Sequence, residues 1–270
     1  MEKKHIFINR NLYKDTKLVY HAVVNAAEDA GWSFCNNLAA KIADLAVSIG
    51  GDGTFIDTAK AAVNADIIGI NKGTLGYMAD IDEESCVDAL KRYFAGDFYI
   101  QKRMTLECCP EPYCETFFDF GGSKMAVNDV AITKGDSSVI DIQVYINNVL
   151  TVTYYADGVI VSSPTGATGY SFSCGAPIVD PSSELMLITP IAPHSIMNRS
   201  ICVPASAKVC IVPVQSRGNE YCVCEIDGKR YKYRTGTSLS VYKSDKTIKM
   251  VKFDESENFF GKITEKLGLR

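Results

Sequence analysis

Gly50-Gly51-Asp52-Gly53-Thr54 lies between a strand-like run, Leu45-Ala46-Val47-Ser48-Ile49, and a segment with Phe55, Ile56, Ala59, Ala62 and Val63 at helical spacing. Glycines at such a junction let the backbone turn sharply and let amides approach a phosphate with no Cβ in the way. The helix start adds oriented N–H groups. Open α/β sheets bind their ligands at the carboxyl ends of strands, where Asp52 falls. A carboxylate there can take a proton from a substrate hydroxyl or hold magnesium. It can equally cap a plain strand–turn–helix connection, and the five residues alone do not choose. They are neither a Walker A loop, which needs a Gly-Lys-Ser/Thr ending, nor the Rossmann fingerprint.

A second stretch is Asp157-Gly158-Val159-Ile160-Val161-Ser162-Ser163-Pro164-Thr165-Gly166-Ala167-Thr168-Gly169-Tyr170-Ser171. A turn needs one or two small polar residues, and this segment has many, between apolar flanks. Small hydroxyls and open amides suit ribose, base edges and phosphate, and Tyr170 offers a flat face for stacking. Asn128-Asp129, ahead of Val130-Ala131-Ile132-Thr133, reads by itself as a solvated turn. His194, in an apolar and proline-rich stretch, reads as structural.

These residues need elements to position them. The first third alternates strand and helix: strand 6–8, helix 18–30 stopped by Gly31, strand 45–49, the helix after the glycine turn, strand 67–70 and helix 83–94. That alternation predicts a parallel sheet covered on both faces. From 101 to 253 the signals are nearly all strand and turn. They include a hairpin over 139–155 turning at Asn147-Asn148, turns at Asp157-Gly158 and Asp227-Gly228, and short strands at 201–203, 208–214, 221–226, 238–242 and 248–253. The expected organisation is an α/β domain over 1–100, an all-β, sandwich-like domain over 101–253, and a C-terminal helix within 254–270 packing back on the first domain.

The 270 residues carry a formal charge of −4 and no basic patch of the kind duplex DNA demands, which excludes nucleic acid as a partner. No run is long and apolar enough for a membrane span, and the start lacks a signal-like apolar region, so the expected compartment is the cytoplasm. The ten cysteines form no Cys-x-x-Cys pair and read as reduced thiols. Cys222 and Cys224 alternate along a strand and share one face, while Cys108, Cys109 and Cys114 cluster with no histidine near.

Taken together, the motifs resemble the NAD kinase family. Gly50-Gly51-Asp52-Gly53-Thr54 matches a glycine–aspartate motif that the family shares with diacylglycerol-type lipid kinases and phosphofructokinases. Gly69-Ile70-Asn71-Lys72-Gly73-Thr74-Leu75-Gly76-Tyr77-Met78 resembles the family segment Gly-Ile-Asn-Thr-Gly-His-Leu-Gly-Phe-Leu. Asn128-Asp129 matches its Asn-Asp/Glu pair, and residues 157–173 resemble its long signature. Residues 175–179 and 189–195, Asn198-Arg199, Phe259-Phe260 and Lys266-Leu267-Gly268 continue the match in order.

The resemblance implies a two-domain fold with NAD in the cleft and a phosphate moved from ATP, or polyphosphate, to the 2′-hydroxyl of NAD, with magnesium accompanying the donor. By carry-over, Asp52 is the proton acceptor and Gly53 helps bind the nucleotide. Asn128 and Asp129 bind the adenosine half, and Thr168, Gly169, Tyr170, Ser171, Phe172 and Ser173 line its pocket. Asp157 approaches the nicotinamide half, in some relatives across a subunit contact, which implies a homo-oligomer, a dimer or tetramer; Ala192 lines that pocket too. Tyr155 stands where the family often has Arg or His, Lys72 where it has Thr, and Lys229 where it often has Gln or Arg. The alternatives are a lipid or sugar kinase sharing only the glycine turn, and a non-catalytic dinucleotide-binding regulator.

Overall fold

The computed structural model describes residues 4–73, 76–111, 122–135, 138–194, 196–214, 220–253 and 259–266. Thr74, Leu75, Cys114, Ser195, Leu267 and Gly268, singled out in the sequence, lie outside them. The described elements run β1 His5–Arg10, α1 Lys17–Asp29, β2 Ser33–Cys35, β3 Leu45–Gly50, α2 Asp52–Ala61, β4 Asp66–Asn71 and α3 Cys86–Phe94. Then follow β5 Tyr99–Glu111, β6 Lys124–Ala126, β7 Asp129–Lys134, β8 Ile140–Ile146, β9 Val149–Ala156, β10 Gly158–Ser162 and the single turn α4 Tyr170–Ser173. The chain closes with β11 Leu185–Ile191, β12 Ile201–Pro204, β13 Val209–Pro213, β14 Tyr221–Ile226, β15 Lys229–Arg234, β16 Ser238–Lys252 and α5 Phe259–Lys266. They divide into two compact units, Met1–Arg103 with Thr247–Arg270, and Met104–Lys246.

In the first unit, β2, β1, β3, β4 and the end of β16 form a parallel sheet. Ile68 and Ile70 point to one face, where Val19, Val23 and Ala27 of α1 and Leu90 and Tyr93 of α3 complete a buried cluster. Gly69 points the other way by the period-2 rule. A Cβ on it would sit 2.8 Å from the ring of Phe55 and 2.8 Å from Ala79 Cα. The α2 helix therefore packs over a strand position where only glycine leaves room. Gly31, with φ of +76°, ends the α1 segment as a left-handed stop.

The second unit is an antiparallel sandwich. One sheet has the order β12-β11-β10-β7-β14-β15; the other runs from β16 through β13 and β8 to β9, with β5 pairing β16 and β6. Val130, Ile132, Val159, Val161, Cys222 and Cys224 of the first sheet share a core with Ile142, Val144, Val209, Ile211 and Leu239 of the second. Alternate residues turn inward on both sheets. The β8–β9 hairpin turns at Asn147 and Asn148 with φ of 49° and 68°, the left-handed pair a two-residue turn requires.

The strands expected at 238–242 and 248–253 are one strand, β16. Its polar middle, Lys243-Ser244-Asp245-Lys246, has turn composition but stays extended. Thr105 Oγ1 donates to Lys246 O at 2.6 Å and Ser244 Oγ to Glu107 Oε2 at 3.2 Å, tying both to β5. Thr247–Lys252 of this strand belongs to the first unit, where Met250 pairs with Ile67. The nine described cysteines are free thiols. Among the described residues no helix is long and apolar enough to cross a membrane.

Candidate active site

Each unit presents a carboxylate that gathers three consecutive backbone N–H groups. In the first unit β3 ends at Gly50, Gly51 has extended dihedrals, and α2 begins at Asp52. Asp52 does not cap its own helix. Its Oδ2 accepts from Tyr77 N at 2.9 Å, and its Oδ1 accepts from Met78 N at 3.0 Å and Ala79 N at 3.1 Å. Gly76 makes the approach possible, because a Cβ there would fall 2.3 Å from Asp52 Oδ1. A carboxylate has about four lone-pair sites, so these bonds leave Asp52 roughly one for a ligand. Burial, and then the charge of Asp52, push the Tyr77 phenol above its ordinary range. The first intrahelical bond reaches from Phe55 N to Gly51 O at 3.1 Å. The amides of Asp52, Gly53 and Thr54 therefore have no intrahelical partner and concentrate positive potential at the turn. Gly51 and Gly53 have open space where a Cβ would go.

In the second unit the carboxylate is Asp227. Its Oδ2 accepts from Val127 N at 2.8 Å, and its Oδ1 accepts from Asn128 N at 2.7 Å and Asp129 N at 3.1 Å. Asp227 has φ of 47° and Gly228 76°, a left-handed pair that turns β14 into β15 and brings the carboxylate back over residues 127–129. Asn128 and Asp129 are thus not a solvated turn: Asp129 is buried and Asn128 half-buried.

The glycine- and hydroxyl-rich stretch closes around Asn128. Ser163 N donates to Asn128 O at 2.8 Å, Ser163 Oγ donates to Val127 O at 2.7 Å, and Gly166 N donates to Ser163 Oγ at 3.1 Å. Gly166 allows this contact, since a Cβ on it would lie 2.1 Å from Asn128 O. A Cβ on Gly169 would lie 3.9 Å from Asn128 Nδ2. Ala167, Ala176, Val179 and Leu187 anchor the stretch in an apolar cluster. Among the described residues, four polar atoms here are buried without a hydrogen-bond partner: Asn128 Oδ1, Ser162 Oγ, Thr165 Oγ1 and Ser171 Oγ. Native interiors rarely leave such atoms unpaired. Thr168, Gly169 and Phe172 are half-buried, and Tyr170 and Ser173 are exposed beside them.

Tyr155, Asp157 and Ala192 gather elsewhere in the same unit. Lys134 binds Asp157 twice, by an ion pair of 2.8 Å to Oδ1 and by its N–H to Asp157 O at 2.8 Å. Asp157 N donates to Ile191 O at 3.0 Å, next to Ala192, which has φ of 44°. Tyr155 O accepts from His194 N at 2.8 Å, and the two rings meet edge-on at 5.8 Å. His194 is exposed, not packed in a core. The two groups mark opposite ends of one strand pair, with Asp129 opposite Ser162 and Thr133 opposite Gly158. Four residue steps along the strand separate them, roughly 13 Å at the usual rise.

Asp227 and Lys134 are residues that motif reading missed, and Ser163, inside the hydroxyl-rich stretch, carries a role the motif does not name. Asp227 shows in sequence only as a turn dipeptide. Nothing in a linear reading says which segment a turn carboxylate will face.

Residues 11–98 match the ATP-NAD kinase N-terminal domain, and residues 127–253 match the ATP-NAD kinase C-terminal domain. The chain belongs to the NAD kinase family. Membership makes it a phosphotransferase that acts on NAD. The NAD kinase of Clostridium botulinum (strain Loch Maree / Type A3) is 37% identical over 227 residues, 83% of this chain and 78% of that one. The NAD kinase of Bacteroides fragilis (strain YCH46) is 37% identical over 214 residues, 78% of this chain and 71% of that one. Two solved structures share the NAD kinase fold. Yeast NADH kinase complexed with NADH has a TM-score of 0.82 at 20% identity, covering 98% of this chain and 87% of that one. An NAD kinase from Archaeoglobus fulgidus in complex with ATP has a TM-score of 0.78 at 22% identity, covering 96% and 98%.

Proposed function

We propose that this NAD kinase transfers the terminal phosphate of ATP, or of another polyphosphate donor, to the 2′-hydroxyl of the adenosine ribose of NAD. The observation that carries this beyond family membership is the set of unpartnered buried polar atoms around Asn128. Adenine presents donors and acceptors on one edge, and an amide side chain offers both. Asn128 and Asp129 with Thr168, Gly169, Tyr170, Ser171, Phe172 and Ser173 hold the adenosine. Tyr155, Asp157 and Ala192, at the other end of the β7–β10 pair, receive the nicotinamide half.

Phosphoryl transfer asks for alignment and charge neutralisation more than for covalent chemistry. Gly53 and its neighbouring amides at the start of α2 receive phosphate oxygens, and Asp52 orients the acceptor hydroxyl and takes its proton. The three N–H bonds from residues 77–79 fix the orientation of the Asp52 carboxylate. Magnesium would supply charge neutralisation as part of the donor complex. Among the described residues no group of three or more His, Cys, Asp and Glu is arranged to hold an ion.

The free thiols support a reducing compartment, the cytoplasm. The exposed Val149, Leu150 and Tyr155 along β9, beside Asp157, support a homo-oligomer of two or four chains. The test is NADP formation from NAD with magnesium and either ATP or polyphosphate. A wild-type protein that forms no NADP with either donor would refute the assignment, and an Asp52→Asn variant with near-normal turnover would refute the role of Asp52.

A further inference from the structure

Lys72 stands one residue beyond β4, where the family pattern has threonine, and the mechanism above gives it no task. Its N–H donates to Gly50 O at 2.9 Å, so the residue is stitched to the glycine turn. Its ammonium group pairs with Glu83 at 2.6 Å, with the two side chains 29% and 36% exposed. A second cation is present: Lys14 Nζ donates to Lys72 O and lies 3.2 Å from where a Cβ on Gly73 would be. Asn71, opposite Gly50 in the sheet, is 5% exposed and its Oδ1 has no hydrogen-bond partner among the described residues. Asn71 and Lys72 thus adjoin Gly50, the end of β3 just ahead of the ten-residue helix α2, through sheet register and a backbone bond, and Lys14 reaches the Lys72 carbonyl beside them.

We propose that Lys72, with Lys14, grips the polyphosphate chain of the donor, and that Glu83 holds Lys72 until the donor arrives. The proposal rests on the reading of the glycine turn as the site of phosphoryl transfer. A part-exposed ion pair is weak, whereas a triphosphate carries several charges and accepts short, charge-assisted hydrogen bonds. Exchange of Glu83 for phosphate is therefore favourable. Lysine acts here as a point charge that selects for charge density, not for the nucleoside. ATP and inorganic polyphosphate share the recognised chemistry.

The test varies each donor separately at saturating NAD. In Lys72→Thr, KM for ATP and for polyphosphate rises on the order of tenfold while KM for NAD holds, and added salt weakens wild-type donor use more than that of the variant. Lys72→Arg keeps most donor affinity, and Glu83→Gln lowers donor KM, a gain that misfolding cannot produce. Calorimetric titration with ATP and with inorganic tripolyphosphate reads the same contrast without turnover. Unchanged donor affinity in Lys72→Thr overturns the proposal, as does a rise in NAD KM alone, or a loss confined to ATP. A wild-type protein that binds tripolyphosphate through Lys72 yet makes no NADP would instead overturn the function proposed above.

Discussion

Asp227 holds Asn128 from 99 residues away in the chain, accepting its backbone N–H at 2.7 Å while also accepting from Val127 and Asp129. Asp52 does the same for Tyr77, Met78 and Ala79 in the other unit. Each carboxylate fixes the backbone of a neighbouring segment through three amides at once. Several variants separate holding from binding.

Asp227→Ala removes the acceptor for all three N–H groups of residues 127–129. Leaving buried donors unsatisfied costs about 1–3 kcal/mol each. The variant should melt several degrees lower and show a raised KM for NAD. Asp227→Asn tolerates the left-handed φ of 47° and should lose less. Thermal melts and NAD saturation curves on the two variants check this, and equal behaviour to wild type would remove Asp227 from the site.

Asn128→Ala should behave differently. Among the described residues the Oδ1 atom has no partner, so its loss should leave the melting temperature nearly unchanged. A ligand hydrogen bond of about 1–3 kcal/mol corresponds to a rise of roughly five- to 150-fold in KM for NAD. Early melting with unaltered NAD affinity would make Asn128 structural.

The glycines near Asp52 fall into two kinds. A Cβ on Gly76 would meet Asp52 Oδ1 at 2.3 Å, so Gly76→Ala should lower both stability and turnover. Gly51 and Gly53 have open space at the same position. Gly53→Ala should fold and melt like wild type and lose turnover, because the added methyl stands where phosphate must approach. Full activity in Gly53→Ala would show that no ligand comes close to that backbone.

Burial pushes the Cys222 thiol up to about 12 from an ordinary 9.0. A group raised on folding contributes stability that is complete below its unfolded value and is lost as pH climbs through the folded one. Cys222 should therefore weaken the fold between pH 9.0 and about 12, and Cys222→Ser should flatten that part of a stability–pH curve. Cys222 and Cys224 should also resist a thiol reagent until the protein is unfolded.

The strand–helix alternation, the glycine turn and the hydroxyl-rich stretch were legible in the sequence because they are local. A glycine turn, a hairpin at Asn147-Asn148 and a 3.6-residue apolar period each depend on residues within one or two turns of chain. That β16 runs through its polar middle was not legible. The reason is non-local: β5 supplies the hydrogen bonds that hold Lys243-Ser244-Asp245-Lys246 extended. Motif matching singled out Asp52, Asn128 and Asp157 in the sequence, but not their partners. Asp52 faces residues 77–79, Asp227 faces residues 127–129, and Lys134 pairs with Asp157 across β7 and β10. A side chain's type is written in the sequence, whereas the amide or charge it meets is set by strand register and by which glycines leave room, and only the tertiary fold decides those.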